Sequence, residues 1–206
     1  LIERVFYKIS EYRDCYYGNT MMIKLDDVRQ SVSFLWETGF YKEQFNNNFI
    51  NVSTAYYVNL GNKILNENTI EEYINFIDKA LNFETEIIND YLNEFTLKKM
   101  INMIETNLII DRKSSLLQKV FQEEIQKFSL LSNDKIKFIS KVFTFFKKVK
   151  LDDDLKNSWL SYLNSLATKI YNQYSKPGQA RNFFEYMLQL KKNIDITVKD
   201  SFNMDD

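Results

Sequence analysis

The scarcity of chain breakers most strongly limits what this sequence can fold into. Its 206 residues include one proline and four glycines, well below ordinary usage. Tight turns between strands depend on these two residue types, so a fold of many short strands would lack the residues for its turns. No convincing run of strict apolar–polar alternation occurs, whereas apolar residues recur at helical spacing along almost the whole chain. The sequence therefore predicts an all-α protein whose long helices are joined by short connections.

Local signals mark several helix boundaries. A helix is predicted from Asp26 or Asp27 to the residue before Gly39, which would end it. Thr69 and Glu72 have the spacing of a capping box, in which each side chain bonds to the other residue's backbone N–H. These signals place two helix starts and one helix end without reference to tertiary structure.

The later part of the chain shows the same organisation. Thr96 is a predicted helix cap, the acidic run Asp152–Asp154 opens another helix, and Lys176–Gly178 is the clearest turn. The last helix is predicted to bury an apolar stripe formed by Phe183, Met187, Leu190, Ile194, Val198 and Phe202. Wide stripes follow one another without a visible linker, which indicates stacked helical units around a shared core, with a boundary between units near 129–134.

Composition excludes several classes of function. The net charge of −1 argues against a dedicated nucleic-acid binder or a binder of anionic membranes. No apolar stretch reaches the ~18 residues of a membrane-spanning helix. No signal peptide is visible, and because the chain starts at Leu1 we expect the true N-terminus of the protein to lie elsewhere.

Reactive side chains are few. The chain contains no histidine, which removes the commonest general base and the commonest metal ligand. Cys15 is the only cysteine, so it cannot form a disulfide within the chain, and a reducing compartment is expected. Its only neighbouring activator in the sequence is Arg13, and most lone cysteines are inert. The four glycines are too far apart to form a phosphate-binding loop.

Glu84 falls on the apolar side of its predicted helix, three residues after Leu81 and four before Ile88. A buried acid with a raised pKa could transfer protons. The structural interpretation is favoured, because fully buried acids are rare unless they are paired. On that interpretation, Glu84 bonds to the backbone of a neighbouring helix or to a lysine.

Two further segments have both a functional and a structural interpretation. The run Asp152–Asp154 could hold Ca²⁺ or Mg²⁺, but its side chains point in different directions and no calcium-loop pattern follows. Acidic residues are ordinary at a helix N-terminus, and this interpretation is favoured. The segment from Lys141 to Lys150 mixes lysines with aromatics and could bind anions. Its aromatics have core spacing, however, and its lysines cluster at a helix C-terminus.

A heavy aromatic stripe occupies the segment YKEQFNNNFINVSTAYY. Large side chains recur at Tyr41, Phe45, Phe49, Val52 and Tyr56, while the remaining positions are mostly polar. The helix that carries them is predicted to continue to about Leu65. A stripe at this spacing more often packs against other helices than lines a binding pocket, so we interpret it as a packing seam.

The same segment carries a resemblance to a known family. The residues Tyr41, Phe45, Phe49-Ile50, Ser53 and Tyr56-Tyr57 resemble the signature helix of the cullin repeat, in which Tyr-x-x-x-Phe-x-x-x-Phe-Leu is followed by Thr and an aromatic-Tyr pair. Further family positions are matched, in order, by Glu72-Tyr73, Glu84, Glu86, Tyr91-Leu92, Thr96 and Leu108-Ile109. The opening LIER resembles the start of the second cullin repeat. The closing KDSFNMDD, with Phe202, Asn203 and Asp205, resembles the end of the family's N-terminal stalk.

The resemblance implies a fold and an architecture. Cullin stalks are three repeats of five helices, and this chain is similar to the second repeat over 1–130 and to the third over 131–206. An elongated, right-handed, solenoid-like rod of helical bundles is therefore expected. The positions expected to pack its helices together are Tyr41, Phe45, Phe49, Tyr56, Tyr57, Tyr73, Tyr91, Leu92 and Phe202.

The resemblance also implies a function. Cullins are non-catalytic scaffolds of RING ubiquitin ligases, so no catalytic residue, cofactor or metal is expected. In that family, adaptors bind the first repeat, while the RING-box protein and the NEDD8-modified lysine belong to a C-terminal domain, so none of these sites is placed on this chain. A monomeric segment that works in the cytoplasm and nucleus is expected. The alternatives are a rod subunit of a vesicle-tethering complex and the cullin-like subunit of the anaphase-promoting complex.

Overall fold

The computed structural model describes residues 1–124, 133–174 and 176–201. The described residues form helices and short connections and contain no strand, which confirms the predicted all-α class. The chain divides into two compact units, Leu1–Asp111 and Arg112–Asp206. The assignment of 1–130 and 131–206 to two cullin repeats stays a prediction. The boundary expected near 129–134 lies mostly outside the described residues.

Unit 1, Leu1–Asp111, is built from long helices with tight connections. Its elements are α1 (Ile2–Tyr17), α2 (Asp26–Glu37), a π-helical turn (Tyr41–Phe45) that leads into α3 (Asn46–Glu67), α4 (Ile70–Tyr91), a 3₁₀ turn (Glu94–Thr96) and α5 (Leu97–Leu108). Helices α3 and α4 pack against each other and both contact α5, while α2 packs on α4. The core of the unit lies between these faces.

The boundary signals at Thr69 and Gly39 act as predicted. The backbone N–H of Glu72 donates to the Thr69 hydroxyl over 3.2 Å, and the N–H of Thr69 donates to the Glu72 carboxylate over 2.9 Å. Both halves of the capping box are therefore formed at the start of α4. Helix α2 ends at Glu37, and Gly39 follows with φ +80°, a left-handed conformation that glycine adopts without strain.

The buried face of α3 differs from the predicted stripe at two positions. Val52 is 43% exposed and Tyr56 is only half-buried, whereas Ser53 and Tyr57 are fully buried. The buried line advances by four residues at each step from Phe49 onward, as expected for side chains stacked on one face of a helix. The prediction followed the larger side chain at 52 and so missed the small residue that lies in the core.

Unit 2, Arg112–Asp206, is also helical over its described residues. It contains α6 (Lys113–Gln118), a second π-helical turn (Lys119–Glu124), α7 (Asn133–Lys148), α8 (Asp152–Tyr174) and α9 (Ala180–Ser201), and a 3₁₀ turn (Ile110–Arg112) precedes α6. Helices α7, α8 and α9 all pack against one another. Gly178, with φ +86°, forms the predicted turn between α8 and α9.

The apolar stripe of α9 turns away from its predicted course near its end. Leu190 is buried and Ile194 is half-buried, as expected, but the next buried position is Thr197, and Val198 is exposed. The inward positions follow steps of three and four residues, which keep to one side of the helix. Phe202, the last predicted member of the stripe, lies outside the described residues. No described helix is long and apolar enough to cross a membrane.

Candidate functional site

A buried ion pair between Arg13 and Glu84 lies at the centre of unit 1. Arg13 extends from α1 and is 1% exposed, while Glu84 extends from α4 and is 0% exposed. The Arg13 Nε donates to Glu84 Oε1 over 2.7 Å, and Nη2 donates to Oε2 over 3.0 Å. This two-bond geometry fixes both the distance and the orientation of the two helices.

Helix α3 completes the cluster. Nη2 of Arg13 also donates to the Ser53 hydroxyl over 2.8 Å, and the Tyr57 hydroxyl donates to Glu84 Oε1 over 2.6 Å. Because Ser53 is small, the Arg13 guanidinium fits beside it. A larger side chain at this position of α3 would displace the guanidinium. We call Arg13, Ser53, Tyr57 and Glu84 the ion-pair cluster. It joins α1, α3 and α4 through side chains alone.

Aromatic rings enclose the charged groups. The Arg13 guanidinium carbon lies 5.3 Å from the ring centre of Phe49 and 5.4 Å from those of Tyr56 and Tyr57. Ring faces attract cations, and this attraction offsets part of the cost of removing the guanidinium from water. The rings also exclude solvent from the pair, which strengthens the attraction between the opposite charges.

Burial and neighbouring charges shift the pKa values of three residues in or beside the ion-pair cluster, namely Tyr57, Tyr17 and Arg13. Burial raises the pKa of Tyr57 well above its usual range, and the nearby Glu84 charge raises it further. Burial also raises the pKa of Tyr17, whose hydroxyl lies 3.3 Å from that of Tyr57. Burial is the largest single influence and lowers the pKa of Arg13, but Glu84, Tyr57 and Tyr56 together raise it by more, so the net shift is upward. The tyrosines therefore stay neutral and the arginine stays charged at ordinary pH.

This geometry corrects the sequence interpretation of Glu84. The expected partner, a backbone group or a lysine, is wrong, because Arg13 and Tyr57 bond to the carboxylate. The Glu84 side chain has no solvent exposure, and its carboxylate is held by Arg13 and Tyr57. A signal for Arg13 was available, since it follows Val5 and Ile9 at steps of four along the buried face of α1.

A second buried polar chain anchors the beginning of α3. The backbone N–H of Asn93 donates to the Tyr41 hydroxyl over 3.1 Å, and that hydroxyl lies 2.6 Å from the Thr96 hydroxyl. Thr96 in turn donates to Asn46 Oδ1 over 2.8 Å. We call these four residues the Tyr41 chain. It links the π-helical turn before α3 to the 3₁₀ turn before α5.

The Tyr41 chain corrects the role expected for Thr96. Thr96 occupies the residue before α5, as predicted, but its hydroxyl makes no capping bond. The hydroxyl is buried and bonds to Tyr41 and Asn46 instead. A capping bond would leave the buried Tyr41 hydroxyl with one partner fewer, at a cost in free energy. Sequence spacing could not reveal this competition, because the partners are about fifty residues away along the chain.

Between the two polar groups lies a stack of aromatic rings. The ring centres of Tyr41 and Phe45 are 4.9 Å apart, and those of Phe45 and Phe49 are 5.4 Å apart. Phe6 of α1 contacts both phenylalanines, at 5.2 and 5.9 Å. Aromatic pairs at these distances add stabilisation beyond the burial of area. We call Tyr41, Phe45 and Phe49 the aromatic seam.

The nine residues that were predicted to pack the helices together differ in their burial. Five are fully buried: Tyr41, Phe45, Phe49, Tyr57 and Tyr73. Three are half-buried: Tyr56, Tyr91 and Leu92. Phe202 lies outside the described residues. Tyr73 also donates its hydroxyl to the Leu108 carbonyl over 2.9 Å, which ties the start of α4 to the end of α5.

The remaining candidates of the sequence occupy ordinary structural positions. The run Asp152–Asp154 begins α8, where Asp154 accepts from Lys113 over 2.8 Å and Asp152 lies 3.7 Å from Lys156. No cluster of possible metal ligands occurs among the described residues. The aromatics between Lys141 and Lys150 are buried in unit 2. These side chains therefore serve helix ends and the core.

Comparison with protein families identifies the family of the chain. The model of the cullin family, described as the cullin alpha solenoid domain, matches residues 1–206. The match covers the whole chain, and the solenoid class agrees with the fold expected from the sequence. The search of curated proteins found no match.

Proposed function

The chain belongs to the cullin family, and on that premise we propose that it is a rigid scaffold segment of a cullin-RING ubiquitin ligase. The segment would hold a substrate-receptor arm at a fixed separation from the RING end, where the ubiquitin-conjugating enzyme binds. Its own role is not catalytic. A fixed separation raises the effective concentration of the bound substrate near the charged enzyme and orients it for transfer.

The ion-pair cluster is the observation that supports this role best. Two charged groups with almost no exposure are joined by bonds of 2.7 and 3.0 Å and link α1 to α4, while Ser53 and Tyr57 bring in α3. A shift of either helix would leave a buried charge without its partner, which costs several kcal/mol. The cluster thus resists sliding between the helices of unit 1, and resistance to deformation is what a spacer requires.

The finer features of the proposal follow from family membership. We infer that adaptor and RING-box proteins bind parts of the parent polypeptide other than this chain. We also infer that residues 1–130 and 131–206 act as the second and third repeats of the stalk. A cytoplasmic and nuclear location belongs to the same proposal, and it accords with the single cysteine of the sequence.

Affinity purification of the parent protein from its own cells, followed by mass spectrometry, tests the ligase role. We expect a RING-box protein, an adaptor, and a form of the parent protein modified by NEDD8. Recovery of anaphase-promoting-complex subunits without NEDD8 modification would instead assign the scaffold to that complex. Recovery of vesicle-tethering subunits alone would refute a ligase role.

A further inference from the structure

Four exposed side chains of unit 1 form an alternating row of rings and ammonium groups. The Lys42 Nζ lies 5.0 Å from the ring centre of Trp36 and 5.2 Å from that of Phe95. The Lys99 Nζ lies 5.3 Å from the same Phe95 ring. Trp36 and Phe95 remain 40% and 41% exposed. We call Trp36, Lys42, Phe95 and Lys99 the aromatic-lysine patch.

The buried Tyr41 chain holds this patch in place from below. The ring of Trp36 packs edge-on against Tyr41 at 5.5 Å. Tyr41 accepts the N–H of Asn93, and Asn93 Oδ1 accepts the N–H of Phe95 over 2.9 Å. Tyr41 thus contacts the Trp36 ring directly and bonds to Asn93, which in turn holds the backbone of Phe95. A surface that is ordered before binding loses less conformational entropy when a partner docks.

The two ammonium groups of the patch have no carboxylate partner among the described residues. Lys99 donates to the neutral Asn47 side chain over 3.1 Å, and the Lys42 ammonium group lies over the two rings. Other surface cations of the chain do form ion pairs, as Arg4 does with Asp27 at 3.3 Å. The patch therefore presents two positioned positive charges beside two exposed rings.

Nearby acidic residues limit which anionic partner fits. Glu37, Glu43 and Glu94 are exposed and adjoin patch residues in the sequence, and the whole chain carries a net charge of −1. A long polyanion such as a nucleic acid would be repelled by these carboxylates along its length. A short acidic segment with an apolar side chain can bond to the two lysines without approaching the three glutamate carboxylates.

We propose that the aromatic-lysine patch docks an acidic peptide segment of a protein partner. Carboxylates of the segment bond to Lys42 and Lys99, and a large apolar side chain of the segment lies on Trp36 or Phe95. Exposed, rigid aromatic residues are the type that dominates binding energy in protein interfaces. The proposal does not rest on the ligase role, since it follows from the surface of unit 1 alone.

A selection from a random-peptide phage library on the immobilised chain tests this proposal. The enriched peptides are then synthesised, and their affinities are measured for the unmodified chain and for the variant Lys42→Gln/Lys99→Gln. Lys63→Gln is the matched control, because Lys63 is an exposed lysine of α3 outside the patch. Urea unfolding of each variant verifies that the fold is unchanged.

We expect enriched peptides that carry Asp or Glu next to a large apolar residue. Loss of two exposed ion pairs weakens their binding about tenfold in Lys42→Gln/Lys99→Gln, which corresponds to about 1.4 kcal/mol for the two pairs together, and Lys63→Gln leaves it unchanged. Absence of enrichment, enrichment of neutral or basic peptides, or equal binding to the double variant overturns the proposal. Tighter binding of single-stranded DNA than of any acidic peptide, lost in the double variant, would also overturn it.

Discussion

Replacement of Glu84 by glutamine gives the most direct test of the ion-pair cluster. The substitution keeps the size of the side chain and one oxygen that can accept from Arg13 or Tyr57, but it removes the negative charge. Arg13, which is 1% exposed, is then buried without a counter-charge. Breaking a buried pair in this way costs about 3–5 kcal/mol. The glutamine amide oxygen still accepts one hydrogen bond from Arg13 or Tyr57, so we expect a loss at the lower end of this range, ~3 kcal/mol.

The two tryptophans of the chain allow unit 1 to be followed separately. Trp36 belongs to unit 1 and Trp159 to unit 2, so fluorescence in a Trp159→Phe background reports on unit 1 alone. With a urea m-value of about 2 kcal/mol/M, a loss of ~3 kcal/mol lowers the unfolding midpoint by roughly 1.5 M. Unit 1 should therefore unfold at clearly lower urea in Glu84→Gln than in the parent chain.

A matched control separates the buried charge from the general effect of removing an acid. Glu86 lies on the same helix but is exposed and forms no ion pair with another described residue, so Glu86→Gln should change stability by less than about 0.5 kcal/mol. The double variant Arg13→Met/Glu84→Leu removes both charges and should be much closer to the parent chain than Glu84→Gln. Equal midpoints for Glu84→Gln and Glu86→Gln would contradict the expected cost of an unpaired buried charge, and so would a double variant that is the least stable of the three.

Three further predictions concern unit 1. Phe49→Ala should cost ~3–5 kcal/mol by leaving a cavity in the aromatic seam, whereas Val52→Ala on the exposed face should be near neutral, and equal urea midpoints would contradict the packing role. Thr69→Ala should cost about 1 kcal/mol by removing a helix cap, measured in the same way; a change below experimental error would show that the cap is dispensable. Because the pKa of Tyr57 is raised in the folded state, its hydroxyl stays protonated there at a pH at which the unfolded chain has already lost this proton. Stability is therefore full below pH ~10 and falls above it, by up to ~1.4 kcal/mol per pH unit for each such tyrosine, and a Tyr57→Phe variant should lose less stability between pH 10 and 11.

Features decided by neighbouring residues were predictable from the sequence. The capping box of Thr69, the stop at Gly39 and the acidic start of α8 each depend on a few consecutive positions, and all three occur in the structure. Helical periodicity gave the all-α class for the same reason, because the side-chain pattern within one segment is enough to distinguish helix from strand.

Features decided by partners far along the chain were not predictable in the same way. Ser53 is buried because a guanidinium from α1, forty positions earlier in the sequence, needs the space. The Thr96 hydroxyl does not cap α5, because it bonds instead to Tyr41, which lies 55 positions away along the chain. Hydrophobicity alone placed Val52 inside, and although the spacing of Arg13 after Val5 and Ile9 put it on the buried face of α1, the sequence did not show which partner would neutralise its charge. Steric and polar matching across helices decided both positions.

The choice of a charged pair at the centre of unit 1 is itself informative about a spacer. Apolar side chains of similar volume would often provide equal or greater stability at such a site, because burying two charges is costly. Apolar contacts, however, tolerate sliding and rotation, since they have no preferred direction. The bonds from Arg13 to both oxygens of Glu84 require one alignment of α1 with α4, and the bonds to Ser53 and Tyr57 require one position of α3. A scaffold works through its shape, so a cluster that penalises every other arrangement serves that function even where it adds little to stability.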